Sequence, residues 1–322
     1  MSAELSSDLN RAATLLQSGG LVAFATETVY GLGANALDSR AVARIFAAKQ
    51  RPHFDPLIVH LADSESVTTV AAEVPEIARH LISKFWPGPL TLVLPRKLIV
   101  PDLVTAGLPG VAIRVPDHPQ ARELIRRSGV PVAAPSANPF SRISPTTAEH
   151  VLQHLADRID MVLQGGACRI GIESTVLKIT AGESPLLLRP GGLPREVIEA
   201  EVGSILLPPG DGEEEGAQVA PGRLLKHYAP RKKMVILTDA EEPPAHASTG
   251  VLSFRTLPNP ERFGKVEILS TAGDLCEAAA SFFAALRRLD DAPGVEVLYA
   301  RRFPDEGLGL ALNDRLSRAA HS

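Results

Sequence analysis

Cysteine is almost absent from this 322-residue chain: Cys168 and Cys276 are the only two. That excludes a disulfide framework and a four-cysteine zinc site, and it fits a reducing compartment. Long apolar runs are missing as well. None approaches the roughly 20 residues that cross a bilayer as a helix. The opening Met1-Ser2-Ala3-Glu4 has no basic stretch leading into an apolar one, so no secretory leader is expected. The expected location is the cytoplasm, with no membrane partner. Excess positive charge is also lacking: 33 Lys and Arg stand against 37 Asp and Glu, a net charge of −4. Proteins that live on the phosphates of long nucleic acid carry a basic excess. Strong direct nucleic-acid binding is therefore not expected. A small anionic ligand needs only a few local cations and fits better.

What is present suits two domains with real cores: 322 residues, 45% hydrophobic and 22% charged. Over the first two-thirds, helix-like and strand-like segments mix. Ser7–Ser18 puts Leu9, Ala12, Ala13 and Leu16 on one helical face, with Gly19-Gly20 as its stop. Ser39 can cap a helix over 40–48. Further helices are predicted at 75–85, 119–128 and 147–155, and strands at 21–25, 57–61, 90–94, 111–115, 130–134, 161–163, 175–179 and 186–188. The mixture predicts an α/β or α+β domain over 1–207 with a large twisted sheet. Prolines, glycines and acids crowd 208–216, so 208–230 reads as a mobile linker and a candidate lid. Four more strands and two helices beyond it predict a small α/β domain over 231–322.

Several short islands carry chemistry. Lys49-Gln50-Arg51 ends a helix, where two cations either complement the helix dipole or bind phosphate. Ser136-Ala137-Asn138 follows an apolar strand, where both side chains serve turns or ligands. Ser144-Pro145-Thr146-Thr147-Ala148-Glu149 is a helix start, with Ser144 or Thr146 as its cap and capping-box spacing from Thr146 to Glu149. A helix N-terminus is also an anion site. Thr26-Glu27-Thr28-Val29-Tyr30-Gly31-Leu32-Gly33 reads as a polar turn, neither a Walker loop nor a dinucleotide fingerprint. His60 ends a strand, as do Arg114 and Arg189, whose charges must meet solvent, a partner or a ligand. No metal-ligand spacing and no Ser–His–Asp set is legible.

The order of these islands, with Pro87-Gly88-Pro89-Leu90-Thr91, Glu173-Ser174-Thr175-Val176, Leu188-Arg189-Pro190-Gly191 and His227-Tyr228-Ala229-Pro230, resembles the threonylcarbamoyl-AMP synthase family in its long, two-domain form. The resemblance implies a YrdC-like fold: a twisted mixed sheet with a concave basic cavity, plus a small Rossmann-like domain. It implies synthesis of threonylcarbamoyl-adenylate and pyrophosphate from L-threonine, bicarbonate and ATP, with Mg²⁺ expected alongside ATP. The product would pass to a separate transferase complex that modifies position 37 of tRNA. By motif, Thr28, His60, Arg114, Ala134 and Ser174 would line the threonine side. Arg51, Asp55, Gly110, Ser136, Asn138, Ser144 and Arg189 would stand on the ATP side, with Lys49 and Arg51 as the catalytic cations. His227 or Tyr228 would close over the nucleotide. No residue is assigned to metal. Three positions depart from the family pattern. Asp55 replaces a frequent Asn and would repel phosphate unless it faces a cation. Ser141 replaces a frequent Gly, which tests whether that backbone needs positive φ. Leu225 replaces an aromatic. The other readings are a carbamoyl-adenylate-type transferase, whose extra zinc-finger or kinase-like modules this chain lacks, and a non-catalytic RNA-binding module.

Overall fold

A computed structural model describes residues 3–52, 55–207 and 227–321. Most of the proposed lid, and with it Leu225, lies outside the described residues. Among the described residues the larger sheet has ten strands. Their order is Glu4–Ser6, Met161–Leu163, Val22–Phe24, Gly31–Asn35, Val132–Ala133, Ile58–His60, Gly110–Arg114, Leu90–Pro95, Thr175–Lys178 and Leu186–Arg189. Parallel and antiparallel pairs mix. Ile58–His60 runs parallel to Gly110–Arg114 but antiparallel to Val132–Ala133. That register sets His60 opposite Arg114 and places both beside the end of the 132–134 segment. Site residues from distant parts of the chain meet there.

Local chemistry explains how the helices deliver the rest. Helix Leu9–Gln17 is capped by Asp8, whose carboxylate accepts from the N–H groups of Asn10 and Arg11. Helix Ser39–Lys49 buries Ala41, Val42, Ile45 and Phe46 against the sheet. Its cap is Asp38, not Ser39, because the Asp38 carboxylate reaches the Arg40 N–H. Gln50 then takes a left-handed conformation (φ 55°) that ends the helix and turns Lys49 and Arg51 inward. The 144–149 segment differs from the expected capping register. Thr147 caps helix Ala148–Leu155 by accepting from His150 N–H, and Ser144 is left to the site.

The polar turn read over 26–33 is half strand. Gly31–Asn35 pairs antiparallel with Val22–Phe24. Gly33 is needed there, since a Cβ would come within 2.8 Å of the Phe24 ring and 2.9 Å of Val132.

The smaller sheet is wholly parallel, in the order Lys233–Leu237, Val297–Arg301, Thr249–Ser253, Lys265–Ile268. Helices Leu275–Asp291 and Gly309–Ala320 cover it. One hydrophobic cluster joins Phe282, Phe283, Leu286 and Leu312 of this region to Val29, Ile143, Ile172 and Tyr228. The segment from His227 to Pro230 is therefore anchored between the two halves. Ser141 has φ 63°, so the backbone at that position does adopt the conformation that favours glycine. Its carbonyl accepts from Ala229 N–H at 2.8 Å, which ties the 136–144 loop to the same anchor.

Candidate active site

A cavity opens over the strand ends. One wall is built from hydroxyls held in sequence. Thr26 Oγ1 accepts from the N–H groups of Thr28 and Val29, both at 3.2 Å, and donates to the Val29 carbonyl at 2.6 Å. Thr28 Oγ1 lies 2.8 Å from it and accepts from Arg114 Nη1 at 2.9 Å. Arg114 also pairs with the Glu27 carboxylate at 2.5 Å and donates to the Gly88 carbonyl at 3.1 Å. Every group of this wall is buried, so a charge here must be matched. His60 faces the same space. Burial, then the Arg114 cation, pushes its pKa down to about 3, so the ring is neutral.

Ser174 closes this end, with its hydroxyl 2.8 Å from that of Thr91. Arg189 donates to the Ser174 carbonyl at 2.9 Å and to its hydroxyl at 3.3 Å. All five residues expected on the threonine side, Thr28, His60, Arg114, Ala134 and Ser174, line one cavity.

The rest of the lining is cationic and aromatic. Arg51, Ser136, Arg189, His227 and Tyr228 contribute to it. Arg51 pairs with Asp55 at 2.9 Å and donates to the Pro56 carbonyl at 2.9 Å. Asp55 thus faces a cation, which answers the repulsion raised by its presence. His227 lies well below its ordinary pKa because burial, then Arg51, Lys49 and Arg189, oppose its protonation. Tyr228 is pushed up to about 12, by burial first and then by the Glu173 charge.

Four expected residues stand one layer behind the lining. Lys49 is 1% exposed, and its ammonium donates to the carbonyls of Ser136 and Asn138, the latter at 2.6 Å. Burial, then Arg51, lowers its pKa well below the ordinary range. Asn138 donates to the carbonyls of Pro139 and Arg142 and so holds the same loop. Ser144 donates to the Glu173 carboxylate at 2.6 Å. Asp55 is the fourth. Gly110 begins the strand that Arg114 ends, roughly 13 Å away at about 3.3 Å per residue; it is not among the cavity-lining residues.

Two participants carry no assignment in the sequence reading. Glu173 lines the cavity. Arg315, from the second half of the chain, pairs with it at 3.1 Å. A signal for Arg315 did exist: it sits on the apolar stripe of its helix with Ala311, Leu312, Leu316 and Ala319, where an unmatched cation would be costly.

Residues 14–191 match the Sua5/YciO/YrdC family model, described as "Telomere recombination", and residues 194–321 match "Threonylcarbamoyl-AMP synthase, C-terminal domain". The threonylcarbamoyl-AMP synthase of Pyrococcus abyssi is 43% identical, covering 96% of this chain and 93% of its own. That of Bacillus subtilis is 44% identical, covering 96% and 92%. The crystal structure of P. abyssi Sua5 complexed with L-threonine superposes with a TM-score of 0.88 at 40% identity, covering 99% of this chain and 97% of that one. E. coli YciO, at 24% identity and a TM-score of 0.52, covers 59% of this chain and 96% of that one, and shares the fold of the larger sheet. Matched along nearly its whole length, the chain belongs to the threonylcarbamoyl-AMP synthase family.

Proposed function

We propose that this chain makes threonylcarbamoyl-AMP and pyrophosphate from L-threonine, bicarbonate and ATP, for threonylcarbamoyladenosine at position 37 of tRNA. The observation that carries this reading is one cavity with two chemically different ends. Thr28, Arg114 and Ser174 offer hydroxyls and a matched cation at one. Arg51 and Arg189 offer guanidinium groups at the other. The first suits a small amino acid, the second a polyphosphate. A relative solved with L-threonine supports the amino-acid end.

The reaction needs no protein nucleophile. Threonine nitrogen attacks the bicarbonate carbon, a C–N bond forms and water leaves, giving a carbamate. A carbamate oxygen then attacks the α-phosphorus, and the bond to pyrophosphate breaks. The protein's work is positioning and charge stabilisation. Arg114, Thr28 and Ser174 hold the amino acid, with neutral His60 and Ala134 shaping its pocket. Arg51 and Arg189 offset charge on the phosphates. Lys49 fixes Ser136 and Asn138 by their carbonyls. Asn138 and Ser144 brace the same loop. His227 and Tyr228 cover the nucleotide and exclude water from the labile carbamate.

Mg²⁺ enters as part of the ATP substrate. Among the described residues no group of three or more His, Cys, Asp or Glu could hold an ion, so the phosphates and water would supply most of its ligands. We place the chemistry in 1–207, with 208–230 as a closing segment and 231–322 as its support. The reaction is cytoplasmic, and the product goes to a separate transferase complex. Among the described residues no helix is long and apolar enough to cross a membrane. The test is pyrophosphate release with threonine and bicarbonate omitted in turn. Dependence on both is expected; release that persists without either one overturns the reading.

A further inference from the structure

We infer that Arg315 is a positioning residue for the nucleotide end of the cavity, holding the charge of Glu173 away from the phosphates; the inference rests on the function proposed above. Arg315 lies in helix Gly309–Ala320 of the smaller sheet's half and is 0% exposed. A buried guanidinium persists only where its charge and donors are matched. Its partners are informative. Nε donates to Glu173 Oε2 at 3.1 Å, and Nη1 donates to the Pro190 carbonyl at 2.6 Å and to Asp314 at 2.8 Å. The guanidinium carbon stands 5.5 Å from the centroid of the Tyr228 ring. Glu173, Pro190 and Tyr228 belong to three separate segments. Two of those residues line the cavity, and the third follows lining residue Arg189.

Glu173 is the awkward member of this wall. It is a carboxylate, 7% exposed, on the lining of a cavity that is to take a polyanion. Ser144 donates to one of its oxygens at 2.6 Å, and Arg315 engages the other. The two contacts orient the carboxylate, and only the second neutralises it. Without Arg315 the field at the phosphate end turns less positive, while the threonine end keeps its own matched pair of Arg114 and Glu27. Nucleotide affinity should therefore fall more than threonine affinity. The geometry also gives the second half of the chain a role in the chemistry: it supplies the guanidinium paired directly with the Glu173 carboxylate.

The test compares the full-length wild type with Arg315→Met, Glu173→Gln and the double variant. Calorimetric ATP binding and the KM values for ATP and threonine are read for each. Arg315→Met is expected to weaken ATP binding and raise its KM about tenfold, with KM for threonine changing by less than about twofold. Glu173→Gln keeps an acceptor for Ser144 and removes the charge. In the Arg315→Met background it is expected to restore ATP affinity to within about threefold of wild type. Equal losses for both substrates, or additive losses in the double variant, would point to a merely structural role and overturn the inference. Should Arg315→Met not fold, Glu173→Gln alone decides: ATP affinity at or above wild type supports the inference, and a clear loss overturns it. A wild type that binds ATP but releases no threonine-dependent pyrophosphate would overturn the proposed function, leaving the ATP-binding comparison intact.

Discussion

Replacing Lys49 with Met should separate a cation that shapes the site from one that merely ends a helix. The Lys49 ammonium donates to two carbonyls, those of Ser136 and Asn138, from a nearly sealed position. Hydrogen bonds to charged groups contribute about 1.5–3 kcal/mol each, and a buried carbonyl left without a donor costs about 1–3 kcal/mol. Methionine fills the space but donates nothing. The gross loss is thus about 2–6 kcal/mol, lessened because an ammonium no longer has to be buried. Part of it falls on global stability and part on the loop that carries Ser136 into the cavity. If only about 1.4 kcal/mol reaches the site, turnover falls tenfold. The assay is threonine-dependent pyrophosphate release, beside urea unfolding to confirm a folded variant. Lys84→Met is the control: Lys84 is half exposed and pairs with Glu201 at 3.3 Å, so activity should not change and stability should move by less than about 0.5 kcal/mol. Wild-type turnover in a folded Lys49→Met would refute the reasoning.

Arg114→Met should lower stability by about 3–5 kcal/mol, since it strands the buried Glu27 carboxylate. Adding Glu27→Gln should recover most of that stability in urea unfolding but not the affinity for threonine; recovery of both would remove Arg114 from the amino-acid end. Ser141→Gly should raise stability by about 0.5–1 kcal/mol, seen as a higher urea midpoint, because Ser141 occupies a left-handed conformation; a destabilised variant would contradict this. Acid should cost stability through His60. Its folded pKa of about 3 lies below the unfolded value of 6.5, so the unfolded chain binds the proton first and stability falls as pH drops through that window. From pH 6.5 to 4 the loss amounts to about 3 kcal/mol for this one group. His60→Gln should flatten the pH dependence of the urea midpoint in that range, and an unchanged slope would argue against a neutral buried ring.

The sequence revealed most where local pattern and local chemistry agree. Helix Pro119–Ser128 and strand Met161–Leu163 stand where their periodicity put them. Caps slipped by one residue when two good capping side chains were adjacent: Asp38 prevails over Ser39, and Thr147 over Thr146. Glu4–Ser6 is a strand only because it pairs with Met161–Leu163 far along the chain, and three residues carry no period of their own. Gly31–Asn35 was hidden by its glycines, which serve close packing, of Gly33 on Phe24 and of Gly31 on Ala134, rather than a turn. At the site, the ordered motifs named many of the residues that line one cavity, but also Gly110, which does not line it. They could not show that Lys49 lies behind the lining, nor that Glu173 has its partner on the last helix. Both facts depend on packing between segments over 80 residues apart.

The central claim is that one cavity joins threonine, bicarbonate and ATP. Its most direct test is to supply ¹³C-bicarbonate with threonine and ATP and to identify the nucleotide product by mass spectrometry. The expected product is threonylcarbamoyl-AMP carrying one ¹³C, formed together with pyrophosphate and lost when threonine is left out. Unlabelled AMP or ADP as the only nucleotide product would contradict the account.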